Sequence, residues 1–448
     1  MQKVIRSQRV IVGDELRPAA VLIEDGTIAA VLEAAPEGVD VEDLGELALM
    51  PGLVDAHVHI NEPGRTQWEG FNTATRAAAS GGVTCVVDMP LNCIPVTTDA
   101  PALQAKLEAC EGSLWVDAGF WGGVVPDNAD DLDALAKAGV LGAKAFMIDS
   151  GIPEFQWCPE PALREGMRRL KAAGLPLLAH AELDLGAEVS GDPRTYAAYL
   201  GSRPQAWEDA AIALLIDLCR ETGCAVHVVH LSSASAIDMV RAARAEGLPL
   251  TAETCAHYLC FAAEEIPDGA TQFKCAPPIR GRDNREQLWA ALKEGVLDFI
   301  VTDHSPCTPS LKLPERGDFM EAWGGVASLS LGLGSVWAQA RARGVDLPTL
   351  ARWLCSSPAR FAGLSDRKGR IAAGLDADLV AWDPDDTHEA RVEDLHFRHK
   401  ISPYLGHGLA GRVHATWVRG QAVYRDGVFA EQPIGRPVLG RAPQNDPT

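Results

Sequence analysis

Two histidines that follow an apolar run are the residues with the clearest chemistry in this chain. Leu49-Met50-Pro51-Gly52-Leu53-Val54 leads into Asp55-Ala56-His57-Val58-His59. Because strand side chains alternate between the two faces of a sheet, His57 and His59 point the same way and can bind one metal ion. A short H-x-H motif also occurs where the two rings form only local hydrogen bonds. The rest of the chain decides between these interpretations.

Further polar residues occur at the ends of other predicted strands or within them. They are Lys144, His180, His230 and Asp303. Imidazole nitrogens and carboxylate oxygens are ligands that zinc accepts. Each residue also has an ordinary structural interpretation: a hydrogen-bonded core histidine, a lysine that extends to the surface, or a helix N-cap. As a set, they favour a metal site wherever the strands that carry them meet.

The middle of the chain, residues 51–368, alternates between strand and helix patterns. Helical patterns such as 207–221 and 234–245 separate most of its eight apolar segments, which are 53–55, 84–88, 114–118, 143–146, 177–180, 225–230, 250–253 and 299–303. This alternation indicates a parallel α/β sheet, and eight strands close a TIM (β/α)8 barrel. The active site of such a barrel lies at the C-terminal ends of its strands.

Both ends of the chain are rich in short strands instead. Strand patterns at 3–12, 20–23 and 28–32 have counterparts near the other end at 378–382 and 415–418. Turn residues such as Asp25-Gly26 and Asp426-Gly427 punctuate them. We predict a small β-sandwich domain built from residues 1–50 and 369–448, and a barrel domain over 51–368. The last dozen residues are expected to form a loose tail.

Composition limits the location and partners of the protein. The 448 residues include 40 Lys and Arg against 61 Asp and Glu, a net charge of −21 that argues against nucleic acid or anionic membranes as partners. The eleven cysteines form no C-x-x-C pair, which favours a reducing compartment over a disulfide framework. We find no apolar segment long enough for a signal core or a membrane span. A cytoplasmic enzyme with a small-molecule substrate is therefore expected.

Several motifs together resemble the cyclic amidohydrolases. They are the run 51–59, the Gly-Ala-Lys-Ala-Phe-Met segment at 142–147, His230-Leu231-Ser232, Thr302-Asp303-His304-Ser305-Pro306 and Gly374-Leu375-Asp376-Ala377-Asp378-Leu379. The resemblance covers nearly the whole chain and implies a metal-dependent hydrolase, usually a homotetramer. It also implies that Lys144 is carbamylated, which converts an ammonium into a group whose two oxygens can bridge two metal ions.

The same resemblance implies a ligand set for two divalent metal ions: His57, His59, Lys144, His180, His230 and Asp303. His57, His59 and Asp303 would hold one ion, and His180 and His230 the other. Zinc is the expected metal, although cobalt, manganese and nickel accept the same ligands. Water activated between the two ions would be the nucleophile, and Asp303 would take its proton and pass it to the leaving nitrogen.

The residue two places after His59 bears on the substrate. Dihydroorotases have an arginine there that binds a carboxylate, whereas this chain has Asn61, a neutral amide suited to an uncharged ureido group. Arg65 lies close to Asn61 in sequence, so dihydroorotase activity remains an alternative. Together with Met89-Pro90-Leu91-Asn92 and Lys274-Cys275-Ala276-Pro277-Pro278, this pattern resembles the allantoinases, which open the ring of allantoin to give allantoate. Hydantoinases or dihydropyrimidinases, and a non-catalytic scaffold, are the alternatives.

Four other polar residues are assigned from their positions. Asn92 and Ser305 are candidate substrate contacts, although a turn residue and a helix cap are equally common roles for these residue types. His227 precedes His230 by three residues and is expected to be structural, because the two would point to opposite faces of a strand. His257 follows the seventh strand and receives no ligand role from the family pattern, but it could support the site from behind.

Overall fold

The computed structural model describes residues 2–187 and 190–440. Its N-terminal strands form part of a mixed sheet. They are β1 (Gln2–Val12), β2 (Glu15–Glu24), β3 (Thr27–Leu32), β4 (Asp40–Asp43) and β5 (Ala48–Pro51). β5 runs almost directly into the next strand, so this sheet is continuous along the chain with the barrel that follows.

The eight-stranded barrel is confirmed. Its strands are β6 (Leu53–Val58), β7 (Val83–Asp88), β8 (Asp117–Phe120) with β9 (Gly122–Gly123), β10 (Ala143–Phe146), β11 (Leu177–His180), β12 (Val226–Val228), β13 (Leu250–Cys255) and β14 (Phe299–Val301). β8 and β9 together form the third strand, and they are separated by Trp121, whose indole N–H donates to Ala56 O at 2.8 Å. The barrel closes where His59 N–H donates to His304 O, at 2.8 Å.

Helices surround the barrel, and the longer ones pack an apolar face against the strands. They are α1 (Phe71–Ser80), α2 (Ala100–Cys110), α3 (Leu132–Ala138), α4 (Glu160–Ala173), α5 (Tyr196–Ser202), α6 (Gln205–Thr222), α7 (Ile237–Ala245), α8 (Ala256–Cys260), α9 (Arg282–Glu294), α10 (Pro309–Lys312), α11 (Gly332–Ala342), α12 (Leu347–Ala351) and α13 (Ser357–Phe361). In the part of the chain that the structure describes, none of them is long and apolar enough to cross a membrane.

The C-terminal strands join the N-terminal ones, as expected for a domain built from both termini. They are β15 (Leu379–Glu389), β16 (Gly408–Val418), β17 (Gln421–Arg425) and β18 (Val428–Phe429), and β15 pairs directly with β5. Val21 and Ile23 from one end of the chain share an apolar core with Leu379 and Trp417 from the other. Burial of both sets against each other is what makes this unit a sandwich. The proposed domain boundaries remain a prediction.

A buried lysine joins the sandwich to the barrel. Lys368 Nζ lies 2.6 Å from an Asp117 oxygen in β8, 2.5 Å from Asp378 and 2.9 Å from Asp376. Arg419 adds a second cation on Asp117, at 2.6 Å. The lysine and the carboxylates of Asp117 and Asp378 are all almost fully buried, so each depends on the others for charge compensation.

Two expectations from the sequence differ from the structure. The third barrel strand begins at Asp117 rather than at 114, because Leu114 O accepts from Gly435 N and Trp115 N donates to Thr75 Oγ1 instead of to a barrel neighbour. The predicted loose tail is wrong for residues 437–440. Val438 is buried there, and its N–H donates to Ala118 O at 2.8 Å. The remainder of that tail, 441–448, lies outside the described residues.

Candidate active site

The barrel brings all six candidate ligand residues to the C-terminal ends of its strands. His57 lies near the end of β6, and His59 directly follows that strand. Lys144 lies in β10, and His180 ends β11. His230 follows β12, and Asp303 follows β14. Asp303 Oδ1 lies 3.2 Å from His57 Nε2 and 3.5 Å from His59 Nε2. These three residues have ligand atoms within 4.8 Å of one another, close enough for one metal ion.

The remaining candidates adjoin this group. Lys144 Nζ lies 3.2 Å from His57 Nε2. The ring centroid of His230 is 5.4 Å from that of His57 and 4.7 Å from that of His180. The site is therefore one continuous cluster, with His57 and Lys144 at its centre.

Several residues of the site have backbone conformations that side chains other than glycine rarely adopt. The φ angles are 39° at His230 and 43° at Asp303, and they are 66° at Asn61 and 68° at Asn92. Such conformations cost free energy and persist only where surrounding structure enforces them, most often at functional sites. At His230 and Asp303, the chain turns sharply at the strand end and directs the side chain into the cluster.

Burial sets the protonation of the histidines. It lowers the pKa of His59 and His180, and it takes the pKa of His57 and His230 well below the ordinary value. The rings are therefore neutral near pH 7, the form in which imidazole binds metal ions. Burial alone would raise the pKa of Asp303, but the hydrogen bond from His59 and the charges of His59 and Lys144 outweigh it and lower that pKa. Asp303 is accordingly ionised.

A carboxylate and an arginine fix the orientation of His180. His180 Nε2 lies 2.7 Å from Glu182 Oε2, so the other ring nitrogen, Nδ1, is left for the cluster. Arg203 donates two hydrogen bonds to Glu182, at 2.5 and 3.0 Å. Burial opposes ionisation of Glu182, but Arg203 and then His180 outweigh it and lower its pKa to about 2. His57 also has a carboxylate behind it, since its Nδ1 lies 2.5 Å from Glu253 Oε1.

The donor set fits divalent metal ions. His230 Nδ1 is buried, and no donor or acceptor among the described residues reaches it. Lys144 is fully buried, and within the described chain no carboxylate oxygen is close enough to form an ion pair with its Nζ. Burial lowers the pKa of Lys144 to about 8. An apolar core would avoid burying neutral imidazoles and a carboxylate together, whereas a divalent metal ion accepts both as ligands.

The cluster forms one wall of an open cleft. Asn92 and Ser305 also line this cleft, so the structure brings both of these predicted contacts to the site. It does not bring Asn61 there. Asn61 is buried beside the site and its Nδ2 donates to Pro306 O at 3.2 Å, which leaves its role in substrate recognition a prediction.

Comparison with known proteins agrees with this geometry. A sequence profile described as the amidohydrolase family matches residues 48–423. The chain is 46% identical to the allantoinase of Saccharomyces cerevisiae, with 97% of this chain and 98% of that protein aligned. It is also 46% identical to the allantoinase of Streptomyces avermitilis, with 99% of each aligned. The chain belongs to the amidohydrolase family.

The fold agrees with solved structures of amidohydrolase enzymes. L-hydantoinase (dihydropyrimidinase) from Arthrobacter aurescens superposes with a TM-score of 0.91 at 28% sequence identity, over 98% of this chain and 100% of that chain. The dihydropyrimidinase from Brevibacillus agri gives 0.89 at 29% identity, over 99% of each chain. The barrel and the sandwich are therefore shared with hydrolases of cyclic amides.

The residues that contact the candidate ligand residues from outside the cluster were not identified from the sequence. Glu182 forms a His-x-Glu pair with His180, which is a signal that the sequence contains. Glu253 stands out as an acidic residue within the buried strand β13. Arg203 directly follows α5, and nothing in the neighbouring sequence indicates that it pairs with Glu182. His257 is fully buried, and its ring nitrogens cluster with Cys255 and Asp303.

Proposed function

We propose that this protein hydrolyses a ring amide of allantoin to give allantoate, as a step in the breakdown of purine-derived ureides. The observation that carries this proposal is the similarity to proteins named allantoinase in Saccharomyces cerevisiae and Streptomyces avermitilis, at 46% identity over nearly the full length. In the reaction, one C–N bond of the ring breaks. Water supplies a hydroxyl to the carbonyl carbon and a proton to the departing nitrogen.

The residues that would hold the metal are those of the buried cluster. His57, His59 and Asp303 would bind one divalent ion, and His180 and His230 the second, with zinc as the expected metal and cobalt, manganese and nickel as alternatives. When bound, such ions lower the pKa of water and polarise a carbonyl oxygen. The neutral state of the four histidines is consistent with this role.

Carbamylation of Lys144 is part of the proposal. In that reaction the neutral amine adds to carbon dioxide and loses a proton, which leaves an anionic carbamate with two oxygens. A pKa lowered to about 8 makes the neutral amine more available than it is for a solvated lysine. A carbamate at this position would also replace a cation by an anion within the cluster, and its two oxygens could bridge two cations.

Asp303 is the proposed general base and acid. Its low pKa makes it a carboxylate near pH 7, and it lies on the wall of the cleft where the substrate amide must sit. It can take a proton from the attacking water and return it to the leaving nitrogen. His59, whose Nε2 lies 3.5 Å from Asp303 Oδ1, holds the carboxylate in position.

The cleft favours an uncharged ring over dihydroorotate. Besides Lys144, its cationic lining residues are Arg203 and Lys274. Arg203 is engaged by Glu182, and Lys274 Nζ donates to the carbonyls of Met320 and Ala322, at 2.9 and 2.5 Å. Neither is free for the bidentate contact that a substrate carboxylate prefers. Hydantoins, which are also uncharged, remain the second candidate on the basis of the Arthrobacter aurescens structure.

We further propose a cytoplasmic homotetramer with a small-molecule substrate and no nucleic-acid or membrane partner. A net charge of −21 supports the absence of such partners. The retention of all six ligand residues argues against a non-catalytic scaffold. Light scattering coupled to gel filtration measures the assembly, and a monomer would contradict the tetramer.

The metal requirement offers a direct test of the proposed activity. Protein purified without chelators is expected to contain close to two divalent ions per chain and to convert allantoin to allantoate. Chelator treatment should abolish turnover, and zinc with bicarbonate should restore it. Full turnover by metal-free protein, or absence of bound metal in active protein, would contradict the proposal.

A further inference from the structure

A chain of buried polar residues runs beneath the candidate metal cluster. Glu253, in β13, is fully buried and points into the barrel between three other polar groups. Its Oε1 lies 2.5 Å from His57 Nδ1 and accepts from the His230 N–H at 3.3 Å. Its Oε2 lies 3.1 Å from His227 Nε2. The carboxyl group therefore links the β6 ligand to the β12 strand and to the backbone of a second ligand.

The chain continues to the far side of the barrel interior. His227 Nδ1 lies 2.7 Å from Thr251 Oγ1, and that hydroxyl is 3.5 Å from Val226 O. The His227 ring stacks on Phe299, with centroids 5.2 Å apart and planes inclined by 5°, and it contacts Phe361 at 3.9 Å. The two phenyl rings also contact each other, with centroids 5.3 Å apart, and together with the contacts at both ring nitrogens they hold the imidazole beside Glu253.

The contact with Glu253 determines which ring nitrogen of His57 faces the metal cluster. Glu253 Oε1 lies 2.5 Å from His57 Nδ1 and also accepts from the His230 N–H, so Nδ1 is the ring nitrogen that faces away from the cluster. The other nitrogen, His57 Nε2, therefore faces the cluster and lies 3.2 Å from both Asp303 Oδ1 and Lys144 Nζ. A hydrogen bond to the outer nitrogen of a ligand histidine fixes its orientation and raises its basicity.

The geometry points to Glu253 and His227 as positioning residues for the metal ligand His57. Neither lines the cleft, so neither contacts substrate. A buried carboxyl and a buried imidazole cost free energy that an apolar pair of the same size would avoid, which argues for a role beyond the fold. This inference rests on the proposed metal-dependent function and adds the residues that set the affinity of one metal position.

Three substitutions test the chain in the full-length protein loaded with zinc. Glu253→Met removes both acceptor oxygens, and we expect it to weaken zinc binding about 10- to 100-fold in competition with a colorimetric chelator. Glu253→Gln keeps one acceptor oxygen for His57 and should retain most of the affinity. Thr251→Val removes only the far end of the chain and should give a smaller loss. Urea unfolding of each metal-free variant reports the effect on the fold itself.

Glu208→Met is the matched control. Glu208, in α6, is almost fully buried and pairs with Arg280 at 2.5 Å, but it contacts none of the six ligand residues. It should lower the resistance to urea and leave the zinc affinity of the folded protein unchanged. Zinc affinity that is equal in wild type and Glu253→Met overturns the inference. If Glu253→Met does not fold, an unchanged affinity in Thr251→Val overturns it.

The outcomes separate this inference from the proposed function. Wild-type protein that binds zinc but leaves allantoin intact contradicts the function, and the zinc competition still tests the chain. If wild-type protein opens allantoin and Glu253→Met binds zinc as tightly as wild type, only the positioning role of Glu253 is contradicted.

Discussion

Replacement of Arg203 tests how His180, one of the proposed metal ligands, is held in position. Arg203→Met would leave Glu182 buried behind His180 without its guanidinium partner. The Glu182 carboxyl has no exposed surface and its pKa is lowered to about 2 from an ordinary value near 4.5, a difference in which Arg203 has the largest lowering effect. At 1.36 kcal/mol per pKa unit, that difference corresponds to about 3 kcal/mol of stability. Breaking one partner of a buried ion pair costs a similar amount, about 3–5 kcal/mol.

The pH dependence gives the prediction a sign. A carboxyl whose pKa is depressed in the folded state stabilises the fold above its unfolded pKa, and the contribution is lost as the pH falls through the folded pKa. For Glu182 this window runs from about pH 4.5 down to about pH 2. Near pH 3, less than half of the contribution should remain.

Urea unfolding of chelator-treated wild type and Arg203→Met, at pH 7 and pH 3, measures both quantities. We expect a deficit of about 3 kcal/mol at the higher pH and a clearly smaller one at the lower pH. Arg203→Lys keeps the charge without the paired donors and should lie between the two. A deficit below about 1 kcal/mol at pH 7, or the same deficit at both values, would refute the assignment of Arg203 as the residue that holds Glu182.

Three further predictions concern the ligand cluster, the domain contact and the cleft. Lys144→Ala removes the proposed bridge and should abolish turnover and deplete bound metal, whereas near-normal metal content by elemental analysis would contradict that role. Lys368→Met leaves buried carboxylates unpaired between barrel and sandwich and should cost about 3–5 kcal/mol in urea unfolding; a loss under about 1 kcal/mol would contradict it. Ser305→Ala should raise KM for allantoin about fivefold, the effect of one lost hydrogen bond, and an unchanged KM would argue against a substrate contact.

The parts of the site that the sequence could predict depend on local rules. His57 and His180 lie at the ends of strands whose apolar runs are recognisable, and parallel strands of a closed barrel bring their C-terminal ends to one face. Strand bounds at β10 and β11 agree with those predicted, because both segments are short, apolar and flanked by clear breaks. The barrel therefore brings six candidate residues that are distant in sequence into one cluster.

The parts that escaped prediction depend on contacts distant in sequence. Glu253 is separated from His57 by 196 residues, and nothing near either one indicates that they meet. Asn61 follows His59 closely, yet the left-handed turn at Asn61 places it beside the cleft rather than on its wall. The C-terminal segment at Val438 pairs with β8 through its backbone, which composition does not reveal.

The most direct test of the central claim is a side-by-side measurement of kcat/KM for allantoin, dihydroorotate and hydantoin with the metal-loaded protein. The account predicts that allantoin is the best of the three substrates and that its product is allantoate. Dihydroorotate should be the poorest, because Arg203, which lines the cleft, is already paired with Glu182. A preference for dihydroorotate, or no hydrolysis of allantoin, would contradict the account.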